Sequence, residues 1–195
     1  MARILSIILM LALTLVPAYA FAGDLAFPKT EKEIVDALSL KDAQVTFEGV
    51  TYESSAGKVY KIIDGKRYRM RGLAGIAESE IVPKAAALIH FDYDSAQIKP
   101  DSYPLLDEFG KALTSGLSSA TVMIAGHTDA QGTAEYNQTL SENRARAVAT
   151  YLKEKYAISP DRLEVKGYGK DKPVASNDTE DGRTKNRRVE FIRVE

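Results

Sequence analysis

From residue 86 onward, short apolar runs alternate with two long stretches of helical spacing, and this alternation constrains the fold more than any other feature. Residues 86–91 form a candidate strand that ends at Asp92-Tyr93-Asp94-Ser95. Pro100-Asp101-Ser102 then begins a helix, with an acceptor side chain at the cap and Pro104 tolerated in the first turn. Leu105, Leu106, Phe109, Ala112 and Leu113 fall on one helical face, and Gly116 is a plausible stop. Residues 121–125 give a second strand. A polar loop, Gly126-His127-Thr128-Asp129-Ala130-Gln131-Gly132, leads into helical sequence over residues 134–155, which buries Ala145, Val148 and Leu152. Residues 163–167 give a third strand, residues 169–182 a polar loop, and residues 187–194 a fourth strand. This order, βαβαββ, predicts an α+β fold with two main helices packed on a four-stranded mixed sheet. Strand-helix-strand connections favour parallel pairing with right-handed crossovers.

The N-terminal part reads differently. Arg3 precedes an almost wholly apolar run of about 13 residues ending at Val16, and Ala18-Tyr19-Ala20 follows as a small-x-small cleavage signal. Residues 1–20 therefore read as a secretory signal peptide, with cleavage after Ala20 or Ala22. The run is shorter than the ~20 residues that cross a bilayer. An uncleaved anchor is the alternative. Residues 21–85 read as a small variable region, and residues 86–195 as the main domain. Thr30-Glu31-Lys32-Glu33 has the form of a capping box before a short helix with Ile34, Val35 and Leu38 on one face. Asp64-Gly65 between Val59-Tyr60-Lys61-Ile62-Ile63 and Lys66-Arg67-Tyr68-Arg69-Met70 predicts a hairpin. The ribbon is basic, through Lys61, Lys66, Arg67, Arg69 and Arg71. It fits a solvated sheet edge better than an anionic surface contact.

Chemistry is narrowed by what is scarce. The 26 basic and 27 acidic residues nearly cancel, which gives no electrostatic case for nucleic acid. Without cysteine there is no lipid-bearing residue, no disulfide and no thiolate metal site. His90 and His127 are the only histidines, and His127 with Asp129 makes at most half a metal site, so no metal and no cofactor are expected. No phosphate loop and no nucleophile elbow occur, so no catalytic residue is assigned and the chain is not expected to be an enzyme.

What remains is a polar set on one loop and one helix. Asp129 follows a strand, where binding residues usually project. Fifteen residues further on is Arg144, in Ser141-Glu142-Asn143-Arg144. Ser141 can cap a helical segment there, placing Arg144 in its first turn beside the apolar positions Leu140 and Val148. A partly shielded arginine needs an anionic partner, and Asp129 is the candidate. Residue types alone favour a structural ion pair over a binding site.

The ordered motifs shift that balance. Gly126-His127-Thr128-Asp129, then Tyr136-Asn137-Gln138-Thr139-Leu140-Ser141-Glu142-Asn143-Arg144-Ala145, then Asn186-Arg187-Arg188-Val189-Glu190 resemble the OmpA-like C-terminal domain family. Phe91-Asp92-Tyr93-Asp94-Ser95 resembles its first-strand signature, and Val165-Lys166-Gly167-Tyr168-Gly169 its late strand and turn. The resemblance implies non-covalent binding of peptidoglycan, with Asp129 and Arg144 holding the diaminopimelate of the stem peptide. It carries Asn137, Asp94, Ser95 and Thr128 into the same site. Leu140, Arg187 and Arg188 enter as supporting residues, although alternation on a strand puts the two arginines on opposite faces. It also implies a periplasmic protein of the Gram-negative envelope, associated with the wall and the outer membrane.

Ligand chemistry fits that assignment. Diaminopimelate ends in an ammonium and a carboxylate on one carbon. Arg144 can grip a carboxylate with two parallel hydrogen bonds, and Asp129 can accept from the ammonium. Without ligand the two side chains can pair with each other. Two other readings stay open. One is an adaptor whose N-terminal region docks an outer membrane or secretion component. The other is a wall-cleaving enzyme.

Overall fold

The fold follows from where backbone hydrogen bonds can be satisfied, seen here in a computed structural model that describes residues 25–39, 43–47, 50–55, 58–69, 83–92 and 94–194. The expected signal peptide, and Met70 and Arg71 at the end of the hairpin, lie outside the described residues. Thr30 caps helix α1 (Glu31–Leu38) with a reciprocal capping box to Glu33, as its sequence predicts. Strands β1 (Ala43–Phe47), β2 (Val50–Ser55), β3 (Lys58–Ile63) and β4 (Lys66–Arg69) form an antiparallel meander in sequential order. The β3–β4 turn falls on Asp64-Gly65, both at positive φ, as the sequence predicts. Strand β4 is an exposed edge along its whole length.

The second sheet holds the core. Its strands are β5 (Lys84–Ala87), β6 (Val122–Gly126), β7 (Leu163–Gly167) and β8 (Val189–Arg193), in the order β5-β8-β6-β7. Strands β6 and β7 pair in parallel around the crossover helix α3 (Ala134–Tyr156), and the other pairs are antiparallel. The sheet is therefore mixed, with two long helices, α2 (Tyr103–Thr114) and α3, as the α+β reading requires. Central β6 is buried at every position, whereas edge strand β7 alternates half-buried and exposed positions until the buried Gly167. Leu106, Phe109, Ala112 and Leu113 of α2 and Ala145, Val148 and Leu152 of α3 close the core. Phe109 stacks on Phe191 with ring centroids 4.0 Å apart.

Three differences from the sequence reading matter. The first strand ends at Ala87 rather than at residue 91. Beyond it the backbone folds on itself: Lys99 donates to the His90 carbonyl and Asp92 to that of Gln97, so residues 90–92 pair with residues 97–99. The loop over residues 169–182 runs into a short helix, α4 (Glu180–Asn186), capped by Thr179. Helix α1 also buries Ile34 and Leu38 in the same core as the second sheet. The Ala86 amide donates to the Ala26 carbonyl, and the Arg193 guanidinium to that of Leu38. Among the described residues no helix is long and apolar enough to cross a membrane.

Candidate functional site

One close contact sets the register of the site. A side chain on Gly126, at the end of β6, would overlap the backbone carbonyl of Ser141 in α3. A side chain on Gly167 in β7 would also crowd Ser141. The two glycines let α3 settle directly onto the parallel pair. Gly126 immediately precedes His127-Thr128-Asp129, and Ser141 lies one turn before Arg144. Seating the helix thus fixes Asp129 and Arg144 together. Ser141 Oγ donates to the Gln138 carbonyl and accepts from the Gly169 amide, while the Thr128 amide donates to the Gly169 carbonyl. Ser141 therefore sits in mid-helix, and the cap of α3 is Thr133, which accepts from the Tyr136 amide. The expectation that Ser141 begins a helical segment is corrected: its hydroxyl serves the strand-turn junction.

Around this joint opens a cleft of about 750 Å³. Of the residues assigned from sequence, Asp94, Thr128, Asp129, Asn137, Leu140, Arg144 and Arg187 line it. Ser95 reaches it through its backbone, whose carbonyl accepts from Arg144 Nε at 3.0 Å. Asp94, at φ 50°, accepts from the Tyr136 hydroxyl. Asn137 is buried, and its amide donates to the Gln131 carbonyl at 2.6 Å. Thr128 is buried and donates to the Asp129 carbonyl.

The ionic partners differ from expectation. Asp129, 7% exposed, does not pair with Arg144. One of its oxygens accepts from Arg187 Nη1 at 2.8 Å and the other from the Gln131 amide at 3.0 Å. Arg187 is shared in turn with Glu180 at 2.7 Å. Burial pulls the Arg187 guanidinium down, but hydrogen bonds to Glu180 and Asp129 outweigh it and hold its pKa above the usual value. The Arg187 and Arg183 guanidiniums hold the Glu180 carboxyl down at about 2. Arg144, in contrast, has no carboxylate within ion-pair distance among the described residues. Its guanidinium rests 4.9 Å from the Phe91 ring centroid, and burial lowers its pKa.

Arg188 points away from the cleft. It is 3% exposed and donates through Nε to Glu190 at 2.8 Å and through Nη2 to the Lys172 carbonyl. The divergence of Arg187 and Arg188 arises because Arg187 closes α4 before β8 begins at Val189. Sequence reasoning passed over Phe91, Lys99, Gln131 and Tyr136, which also line the cleft, and Glu180, which anchors Arg187. Phe91 and Tyr136 stood inside the quoted motifs, so a signal existed for them. Among the described residues no group of three or more histidine or acidic side chains is placed to hold a metal.

Chemically, the cleft offers a carboxylate with lone pairs to spare and a half-buried guanidinium that lacks an anion. Neither neutralises the other. A model of the OmpA family matches residues 90–187. The peptidoglycan-associated lipoprotein of Pseudomonas aeruginosa is 41% identical over 117 residues, covering 60% of this chain and 68% of that protein. Among solved structures, the cell wall anchor of the T6SS from Pseudomonas aeruginosa is 27% identical, with a TM-score of 0.50 over 63% of this chain and 94% of that one. The periplasmic domain of Helicobacter pylori MotB is 25% identical, with a TM-score of 0.51 over 57% of this chain and 81% of that one.

Proposed function

The chain belongs to the OmpA family, and on that premise we propose that residues 86–195 bind peptidoglycan non-covalently through the diaminopimelate of its stem peptide. The observation that carries this reading is the separation of charges in the cleft. Arg144 is held by the Ser95 carbonyl and Phe91 without a carboxylate partner among the described residues, while Asp129 is fixed by Arg187 and Gln131. A ligand end with an ammonium and a carboxylate on one carbon complements that arrangement: the ammonium toward Asp129, the carboxylate toward Arg144. Arg187 positions Asp129 through its hydrogen bond to the carboxylate. Asp94, Ser95, Thr128, Asn137 and Leu140 shape the walls, and Arg188 lies outside this cleft, paired with Glu190 on the strand.

The reading places the protein in the periplasm as a wall tether of the Gram-negative envelope, close to the outer membrane, and as a binder rather than a catalyst. It is tested by pelleting with isolated sacculi. Asp129→Ala or Arg144→Ala strands a charge and is expected to cost about 2–5 kcal/mol of binding, roughly 30-fold to several thousand-fold in affinity. Variants that pellet like the parent overturn the site. Soluble muropeptides released by the intact protein overturn the non-catalytic reading.

A second reading adds a protein partner from the outer membrane or a secretion component. The exposed edge strand β4 favours it, because among the described residues no strand pairs with its outer edge, and such an edge is a template for another strand. Capture of one envelope protein by the full chain, lost when Tyr68→Pro blocks that edge, supports it. Identical capture by both chains sinks it.

A further inference from the structure

A second cavity, of about 330 Å³, adjoins the cleft. The two share Phe91, Lys99, Arg144 and Arg187, and the second adds His127 and Arg188. Its chemistry is unlike that of the cleft. His127 is 4% exposed, and neither ring nitrogen has a hydrogen-bond partner. Nε2 lies 3.5 Å from Glu190 Oε1, too far and too poorly aligned for a good bond, and that oxygen already accepts from Arg188. The ring is otherwise held by stacking on Tyr168, with centroids 5.3 Å apart. A buried polar group left without a partner lowers stability unless something else uses it.

The charges around this ring point one way. Arg187 is balanced by Asp129 and Glu180, and Arg188 by Glu190. Among the described residues Arg144 has no such counterion before ligand binds, and Lys99 adds to the lining a cation that is not used when Arg144 takes the diaminopimelate carboxylate. The cavity therefore carries surplus positive charge beside an unused imidazole, a combination suited to a small anion. Burial, with the Arg188, Lys84 and Lys172 charges, pushes the His127 pKa down to about 2, so the ring stays neutral at ordinary pH.

We infer that this cavity is a second subsite, which takes the terminal carboxylate of the stem peptide while the end group of diaminopimelate occupies the cleft. The inference rests on the peptidoglycan reading above. Its consequence is selectivity. A stem whose terminal carboxyl is spent in a crosslink has no anion to place beside His127, so uncrosslinked stems bind better.

The test is calorimetric binding of three probes to the full chain: free diaminopimelate, a soluble stem peptide that continues one residue past diaminopimelate, and the same peptide with its C-terminus amidated. The free acid is expected to bind about tenfold more tightly than the amide, the effect of one charge-assisted contact. His127→Phe keeps a stacking ring and removes both nitrogens, and it should reduce the acid-to-amide ratio to below about twofold. Lys99→Gln, at an exposed position, should reduce it as well and guards against a folding defect at His127. The His127 ring nitrogen resonances should move with the acid and not with the amide. Equal affinity for acid and amide overturns the subsite, as does a ratio preserved in both variants. A higher melting temperature for His127→Phe with an unchanged ratio marks His127 as a core residue only, which also overturns it. Failure to bind free diaminopimelate overturns the parent reading, a result distinct from diaminopimelate binding with no preference between the two peptides.

Discussion

The two four-stranded sheets share a strand count and little else. The meander β1–β4 is wholly antiparallel and sequential, and its last strand is exposed throughout. The second sheet is mixed, out of sequence order, and buried along β6 and nearly all of β8. Charges illustrate the consequence. Arg67 and Glu53 pair at 2.8 Å across the meander, with the arginine half exposed. Arg188 and Glu190 pair beside the second sheet with both side chains under one tenth exposed. The same ion-pair chemistry is a surface decoration in one sheet and a structural commitment in the other, because water screens the first and not the second. A site that must hold charges apart until a ligand arrives needs the second environment.

That contrast can be broken at its glycines. Gly126→Ala drives a methyl group into the Ser141 backbone, and helix α3 must move. We expect a loss of about 3 kcal/mol or more in chemical unfolding. Gly65→Ala in the meander turn meets nothing within 4 Å and pays only for its positive φ, about 1 kcal/mol. Similar losses for the two variants contradict the account of how the helix is seated.

Burial can be sharpened with pH. His127 has its folded pKa pushed down to about 2 from an ordinary value of 6.5. Below that ordinary value the unfolded chain binds a proton that the folded chain refuses. Stability attributable to this group is therefore intact above about pH 6.5 and falls by about 1.4 kcal/mol per unit as pH drops below it. His127→Phe should remove this slope over pH 4–6. An unchanged slope in the variant places the acid sensitivity elsewhere.

The smallest effect is expected in the meander. Arg67→Ala removes a pair exposed to solvent and should change the melting free energy by less than about 0.5 kcal/mol, within the range of surface ion pairs. A larger loss shows that water does not screen this pair as its exposure implies.

Much of the second sheet was legible in the sequence because its signals are local. Leu106, Phe109 and Leu113 declare α2 by spacing alone, and Leu163 to Gly167 ends where its glycine meets α3. Helix α4 had local signals too: Thr179 at the cap, Glu180 and Asp181 in the first turn, Arg183 and Lys185 in the last. Its polar composition hid them. The pairing of Asp129 with Arg187, 58 residues apart, had no local signal. The loop motif pointed to Asp129 and the helix motif to Arg144, and both line the cleft. Which cation holds Asp129 depends on where α4 returns to the sheet, and that is decided by tertiary packing.

The central claim is that Arg144 waits for a ligand carboxylate while Asp129, held by Arg187, waits for the ammonium. The most direct measurement compares binding of the intact protein to sacculi whose stem peptides carry diaminopimelate and to sacculi carrying lysine in its place. Lysine keeps the ammonium and lacks the carboxylate, so binding should fall sharply, by about 30-fold or more. Equal binding to the two walls contradicts the claim.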